Sequence, residues 1–151
     1  LGAYGENEMR LIVMNRAAEI GVLLSPQAAR RIALASRGVP RRARHILQSL
    51  KTCLKDPEAA VTKTASDRHL LSLGIDKDNL TQSDRTFLRI LASRNSAVSL
   101  HDLASQLGLD ELAVRGDIEP YLIGRGYISV ESRGRTLTEV GRAYVAGRNL
   151  S

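Results

Sequence analysis

Arg133-Gly134-Arg135 sets two guanidinium groups either side of a glycine, a spacing that lets a tight turn offer cations to phosphates and to a narrow groove. A merely solvated turn is the plain alternative. Other chemistry finds little support. No glycine-rich loop ends in Lys-Ser or Lys-Thr, so the cradle for nucleotide phosphates is absent and this stretch alone is not expected to hydrolyse ATP. H-E-x-x-H, G-x-S-x-G and C-x-x-C are missing too. His45, His69 and His101 fall on separate expected helices and read as surface or boundary histidines, and no metal site is expected. Asp110-Glu111 and Asp117 with Glu119 could be imagined as acid and base, but acids at a helix start opposing the macrodipole are the simpler reading.

Composition narrows the function classes further. The 151 residues are 43% hydrophobic and 25% charged, as in a folded globular chain of one domain or two small ones. Phe87 and four tyrosines are the whole aromatic supply, too little for a protein that stacks successive bases on aromatic platforms. Lone Cys53 forms no internal disulfide, and a reducing cytoplasm fits best. No apolar run approaches the roughly 20 residues of a membrane helix, so no membrane partner is expected. Because residue 1 is Leu, the chain is expected to be processed or cut from something longer. The formal charge of +6 sits mostly in the first half: no acid occurs between Glu19 and Asp56, while Arg30, Arg31, Arg37, Arg41, Arg42, Arg44, Lys51 and Lys55 are basic. Something anionic is the natural partner of that stretch.

Helices must position these groups. Met9, Ile12, Val13, Ala17 and Ile20 share one helical face that Gly21 would end. Ser25-Pro26 starts a second helix running to Gly38, and Pro40 a third with the stripe Ala43, Ile46, Leu47, Leu50 and Leu54. Thr64 and Asp67 read as a capping box for a fourth helix that stops at Gly74. Residues 1–75 are thus expected to form a four-helix domain, Gly74 to Leu80 a polar linker with little to pack, and 80–151 a second domain. There, a helix from Thr81 or Ser83, a brief strand at Ala97-Val98-Ser99, a helix capped by Ser99 and another capped by Asp110 predict a helix-turn-helix. Pro120 should kink or end the last of these. Tyr127 to Glu131, a glycine turn and Thr136-Leu137-Thr138 then predict a hairpin, making a winged helix, with Thr138 capping a closing helix. The recognition helix carries Glu111, Asp117 and Glu119 against Arg115, so base reading by that helix is doubtful.

In order and spacing, these residues resemble the RuvB family of Holliday-junction branch-migration motors. Ser36-Arg37-Gly38-Val39-Pro40-Arg41, Leu73-Gly74-Ile75-Asp76, Asp84-Arg85, Leu100-His101-Asp102-Leu103-Ala104, Glu119-Pro120-Tyr121-Leu122-Ile123 and Arg133-Gly134-Arg135 carry the likeness, which spans roughly Tyr4 to Tyr144. The resemblance implies a mainly α chain: an AAA+ lid domain, then a winged-helix DNA-binding domain, with an ATPase core N-terminal to both. It implies ATP with Mg bound through that core, a hexameric ring, double-stranded DNA or a Holliday junction as substrate, and RuvA and RuvC as partners. By the same resemblance Arg41 is the sensor-2 arginine, Pro40 and Tyr4 lie near the adenine, and Arg133 and Arg135 contact DNA. Three positions depart from the family's pattern: Val39 stands where the family usually has Thr, Glu131 enters a wing that usually has one more arginine, and Glu111 stands where some members place a basic residue. Two other readings stand beside it, a free-standing winged-helix transcriptional regulator and a module whose basic helix docks an acidic protein surface.

Overall fold

The computed structural model describes residues 4–148 and divides into two units, Leu1–Asn79 and Leu80–Ser151. The first holds α1 (Glu6–Ile20), α2 (Pro26–Ala35), α3 (Pro40–Cys53) and α4 (Lys63–Ser72). Gly21, at φ 78°, ends α1 in the left-handed region that glycine enters without strain, and the Ser25 hydroxyl accepts from the Ala28 amide to start α2. Met9, Val13, Ile32, Leu47 and Leu70 fill the core, while Ala28, Ala29, Ala33 and Ala43 let the helices approach closely. A parallel bridge between Leu24 and Val61 holds the segments that lead into α2 and α4. Because Val61 is fixed there, Thr62 and not Thr64 caps α4, accepting from the Ala65 amide. Asp67 is thereby released from any capping role.

Asp67 instead accepts from Arg31 Nε at 2.8 Å and from Lys63 Nζ at 2.8 Å. The Lys63 ammonium, and Arg31 with it, holds the Asp67 carboxyl below the usual carboxylate range. Arg31 also donates to the Asn79 side chain and to the Asp76 carbonyl, so residues 76–79 are fastened to the first unit. Ile75 is buried in the same core. The stretch expected to be a slack linker therefore has packing and hydrogen bonds of its own.

The second unit runs α5 (Gln82–Ala92), α6 (Leu100–Leu107), α7 (Glu111–Ala113), a π-helical turn (Val114–Ile118), α8 (Glu119–Gly124), β1 (Ile128–Glu131), β2 (Gly134–Leu137) and α9 (Glu139–Arg148). Thr81 and Asp84 cap α5 reciprocally, the box expected for α4 appearing here. Ser99 and Asp110 cap α6 and α7. Pro120 does not end the helix. It lacks an N–H and would crowd the carbonyl of Gly116 in regular α geometry, and the widened turn before it, with the Glu119 amide bonded to the Val114 carbonyl, carries the chain through. Phe87, Leu88, Leu103, Val114 and Leu122 form the core that this helix closes. The hairpin pairs Ile128 with Leu137 and Val130 with Arg135, and Val98 adds one antiparallel bridge to Arg135. The result is the mainly helical, lid-then-winged-helix architecture that the sequence leads one to expect.

Gly141 on α9 sits against the Tyr127 carbonyl, where an added Cβ would collide with backbone. Gly141→Ala should lower the stability of the second unit by about 1–3 kcal/mol, read as a lower thermal midpoint. In the first unit, burial pushes the His69 imidazole below its ordinary value of 6.5, so the unfolded chain takes up that proton more readily. Stability should be full above pH 6.5 and fall as the pH drops below it, and His69→Gln should flatten this part of a urea-denaturation pH series.

Candidate nucleic-acid interface

The five residues singled out in the sequence separate into two places. In the first unit, the Tyr4 amide donates to the Gly38 carbonyl at 3.0 Å, which sets Tyr4 beside the turn leading to Pro40 and Arg41. That turn is sharp because Arg37 (φ 57°) and Gly38 (φ 76°) are both left-handed. Val39 then begins α3 without a side-chain cap, Pro40 occupies its first turn, and no acid lies in that turn. Arg41 is exposed there. The positive end of the helix dipole, a first turn with neither a side-chain cap nor an acid, and exposed Arg41 are chemistry suited to an anion such as a phosphate. The residues present therefore fit a nucleotide's phosphates. Within the basic run, Arg30 pairs with Glu6 at 2.7 Å, and Arg31 is the internal clamp described above.

In the second unit, the hairpin separates the two arginines that the sequence presents as equals. Arg133 stands at the turn with its side chain 84% exposed, and its nearest acid is Glu131 at 4.0 Å. Arg135 does not project. Its side chain is 12% exposed, and it forms a two-pronged ion pair with Glu119, which is 6% exposed; the second contact is 3.2 Å. Both Arg135 donors that face Glu119 are engaged in that pair, so Arg133 and not Arg135 is the arginine set at the surface of the wing. Glu119 likewise does not face a groove as an acid on the recognition helix. It is the internal partner of the wing.

The exposed surface of the recognition stretch consists of Glu111, Leu112, Arg115, Gly116, Asp117, Pro120, Ile123 and Gly124, with Arg125 exposed just past its end. Leu112 is 80% exposed and Ile123 49%. One cation among two acids and two large apolar residues is unsuited to a phosphate-lined major groove. The strongly exposed arginine of the hairpin, Arg133, stands on the wing instead. Beside Arg133, Asn95, Ser96, Ala97 and Thr136 line an open groove of about 400 Å³. Sequence reasoning missed the 95–97 side of it, because only the Val98–Arg135 bridge brings that loop to the hairpin.

At the base of the wing, Tyr127 and Tyr144 stack with centroids 4.4 Å apart. Arg125 lies over the first ring and Arg148 over the second. Thr138 caps α9, accepting from the Gly141 amide and donating to the Gly126 carbonyl. The helix that ends at Gly124, the hairpin and α9 are thereby joined.

Residues 77–146 match the family described as the RuvB C-terminal winged helix domain. The Holliday junction branch migration complex subunit RuvB of Synechococcus sp. (strain CC9311) is 32% identical over 146 residues, covering 94% of this chain and 41% of its own length. The protein of that name from Ehrlichia chaffeensis is 33% identical over 138 residues, covering 90% of this chain and 42% of its own. The solved structure of the Thermotoga maritima RuvB Holliday junction branch migration motor superposes with a TM-score of 0.86 at 28% identity, over 97% of this chain and 50% of that one. The chain spans about two-fifths of the length of these curated relatives.

Breaking the buried pair should cost far more than replacing it. Arg135→Ala leaves the Glu119 carboxylate buried alone and should lower stability by about 3–5 kcal/mol in urea denaturation of the 151-residue chain. Arg135→Met with Glu119→Leu should recover most of that loss.

Proposed function

This chain belongs to the RuvB family, and we propose from that premise that it acts as the nucleotide lid and the DNA-binding unit of an ATP-driven Holliday-junction motor. The observation that carries this reading is the division of labour in the winged helix: the recognition stretch is acidic and apolar outside, while Arg133 is thrust out at the hairpin turn. Such a module holds a duplex by its backbone, with no sequence preference, as a motor moving along DNA requires. A transcriptional regulator would present a basic, base-reading recognition helix, which is absent here.

In this reading ATP binds with Mg through a core domain of the working protein, and its hydrolysis supplies the free energy for movement. Arg41 holds the nucleotide's phosphates from the lid side, and Pro40 with Tyr4 lies near its adenine. Arg41 is placed by α3, whose buried face is part of the first unit's core. A shift of the phosphates therefore acts on the lid as a body. The same proposal includes assembly into a hexameric ring, action on a junction with RuvA and RuvC, and a cytoplasmic site, with the family likeness as its support. Among the described residues no helix is long and apolar enough to cross a membrane, which is compatible with that site.

Arg133→Ala should weaken binding to a short duplex in a fluorescence titration without sequence dependence. It should lower the slope of log affinity against log salt by about one unit. An unchanged slope would remove the wing from the interface. In a protein that also carries the ATPase core, Arg41→Ala should depress ATP turnover at least tenfold, about 1.4 kcal/mol or more in the barrier, with the thermal midpoint preserved. Normal turnover would reduce Arg41 to a surface charge.

A further inference from the structure

We propose that the groove between the wing and the α5–α6 loop is a seat for one backbone phosphodiester of duplex DNA, held by Asn95, Ser96 and Thr136 together with Arg133. The proposal rests on the wing reading above and adds to it residues outside the hairpin. Val98 exchanges both of its backbone hydrogen bonds with Arg135, N to O at 3.0 Å and O to N at 2.8 Å. This bridge lays the preceding residues alongside β2, so Asn95, Ser96 and Ala97 face Thr136 and Arg133 across an open groove of about 400 Å³. Gly134 makes the approach possible: a Cβ there would lie 2.5 Å from the Val98 carbonyl oxygen.

The lining chemistry selects the ligand. Arg133 brings one positive charge and a planar fork of donors, Asn95 an amide, and Ser96 and Thr136 one hydroxyl each. None of the lining residues is acidic. One cation with three neutral donors matches a phosphodiester, which carries a single negative charge, better than a phosphate dianion. Arginine, serine, threonine and asparagine are also the side chains that commonly bind backbone phosphates. Glu131 does not compete strongly, since it stands 4.0 Å from Arg133 and both side chains are exposed. Such a pair contributes about 0–1 kcal/mol and yields to a charge-assisted phosphate contact.

Neutral donors and a cation leave different signatures in a salt titration, which separates this proposal from the one beneath it. In the 151-residue chain, Asn95→Ala with Ser96→Ala should weaken binding of a fluorescent mixed-sequence duplex about three- to tenfold, the effect of losing one or two net hydrogen bonds. The slope against log salt should not change, because no cation is lost. Ser96→Thr with Asn95 intact should keep most of the affinity, and Ser96→Glu should weaken binding more than the double alanine variant. All of these positions are exposed loop residues, and the thermal midpoint should stay at the parent's value. Double-variant affinity within twofold of the parent, with Arg133→Ala still lowering the slope, would overturn the groove and leave the wing contact standing. No change from Arg133→Ala in either affinity or slope would remove both. Competition by inorganic phosphate at low millimolar concentration would overturn the assignment to a phosphodiester.

Discussion

The buried pair between Arg135 and Glu119 is the constraint on which the winged helix depends. Removing two charges from water is unfavourable unless each is fully engaged, and here the guanidinium fork meets the carboxylate with both prongs. The backbone of Arg135 is bonded to Val98, its β1 partner is Val130, and its side chain reaches the first residue of α8. One residue thus joins the α5–α6 loop, the hairpin and the helix. It also enforces register. A slip of one position in β2 would turn Arg135 to the other face and leave Glu119 buried without its cation.

The exposure of Arg133 follows from that constraint. With Arg135 held inside and Gly134 pressed on the Val98 carbonyl, the turn leaves only the preceding arginine free to project from the hairpin. Glycine is required at 134 for two separate reasons, its φ of 137° and the missing space for a Cβ. The first unit uses the same device in a milder form. Arg31, from the run that carries no acid, turns inward to Asp67, Asn79 and the Asp76 carbonyl. In both units a sequence-level surplus of positive charge resolves into arginines that build the fold and arginines that remain at the surface.

Pro120 meets its local rule through a break in regular α geometry, with α7 giving way to a π-helical turn just before it. The expectation of a kink or an end rests on the lost N–H and the clash with the carbonyl four residues back. A π-helical turn over Val114–Ile118 makes room for the ring by changing the hydrogen-bond register, the Glu119 amide bonding the Val114 carbonyl. Val114 and Ile118 remain buried, and Glu119 arrives where Arg135 can reach it. The wide turn is part of what aims the buried acid.

Much of the architecture was legible in local signals. Gly21, Ser25-Pro26, Pro40, Ser99, Asp110 and Thr138 act at their expected positions, because caps and left-handed glycines depend on a few neighbouring residues. The Thr64–Asp67 box failed because Thr62, fixed by the distant bridge of Val61 to Leu24, was the better-placed cap. Arg133 and Arg135 look alike in sequence, two cations around a glycine, and nothing local tells them apart. What the chain by itself determined was the helices, the hairpin and the family likeness. Which arginine points outward, what Glu119 is for, and that Asn95 and Ser96 stand beside the wing were decided by contacts between residues distant in sequence. Burial of charge is settled only when the whole unit has closed around it.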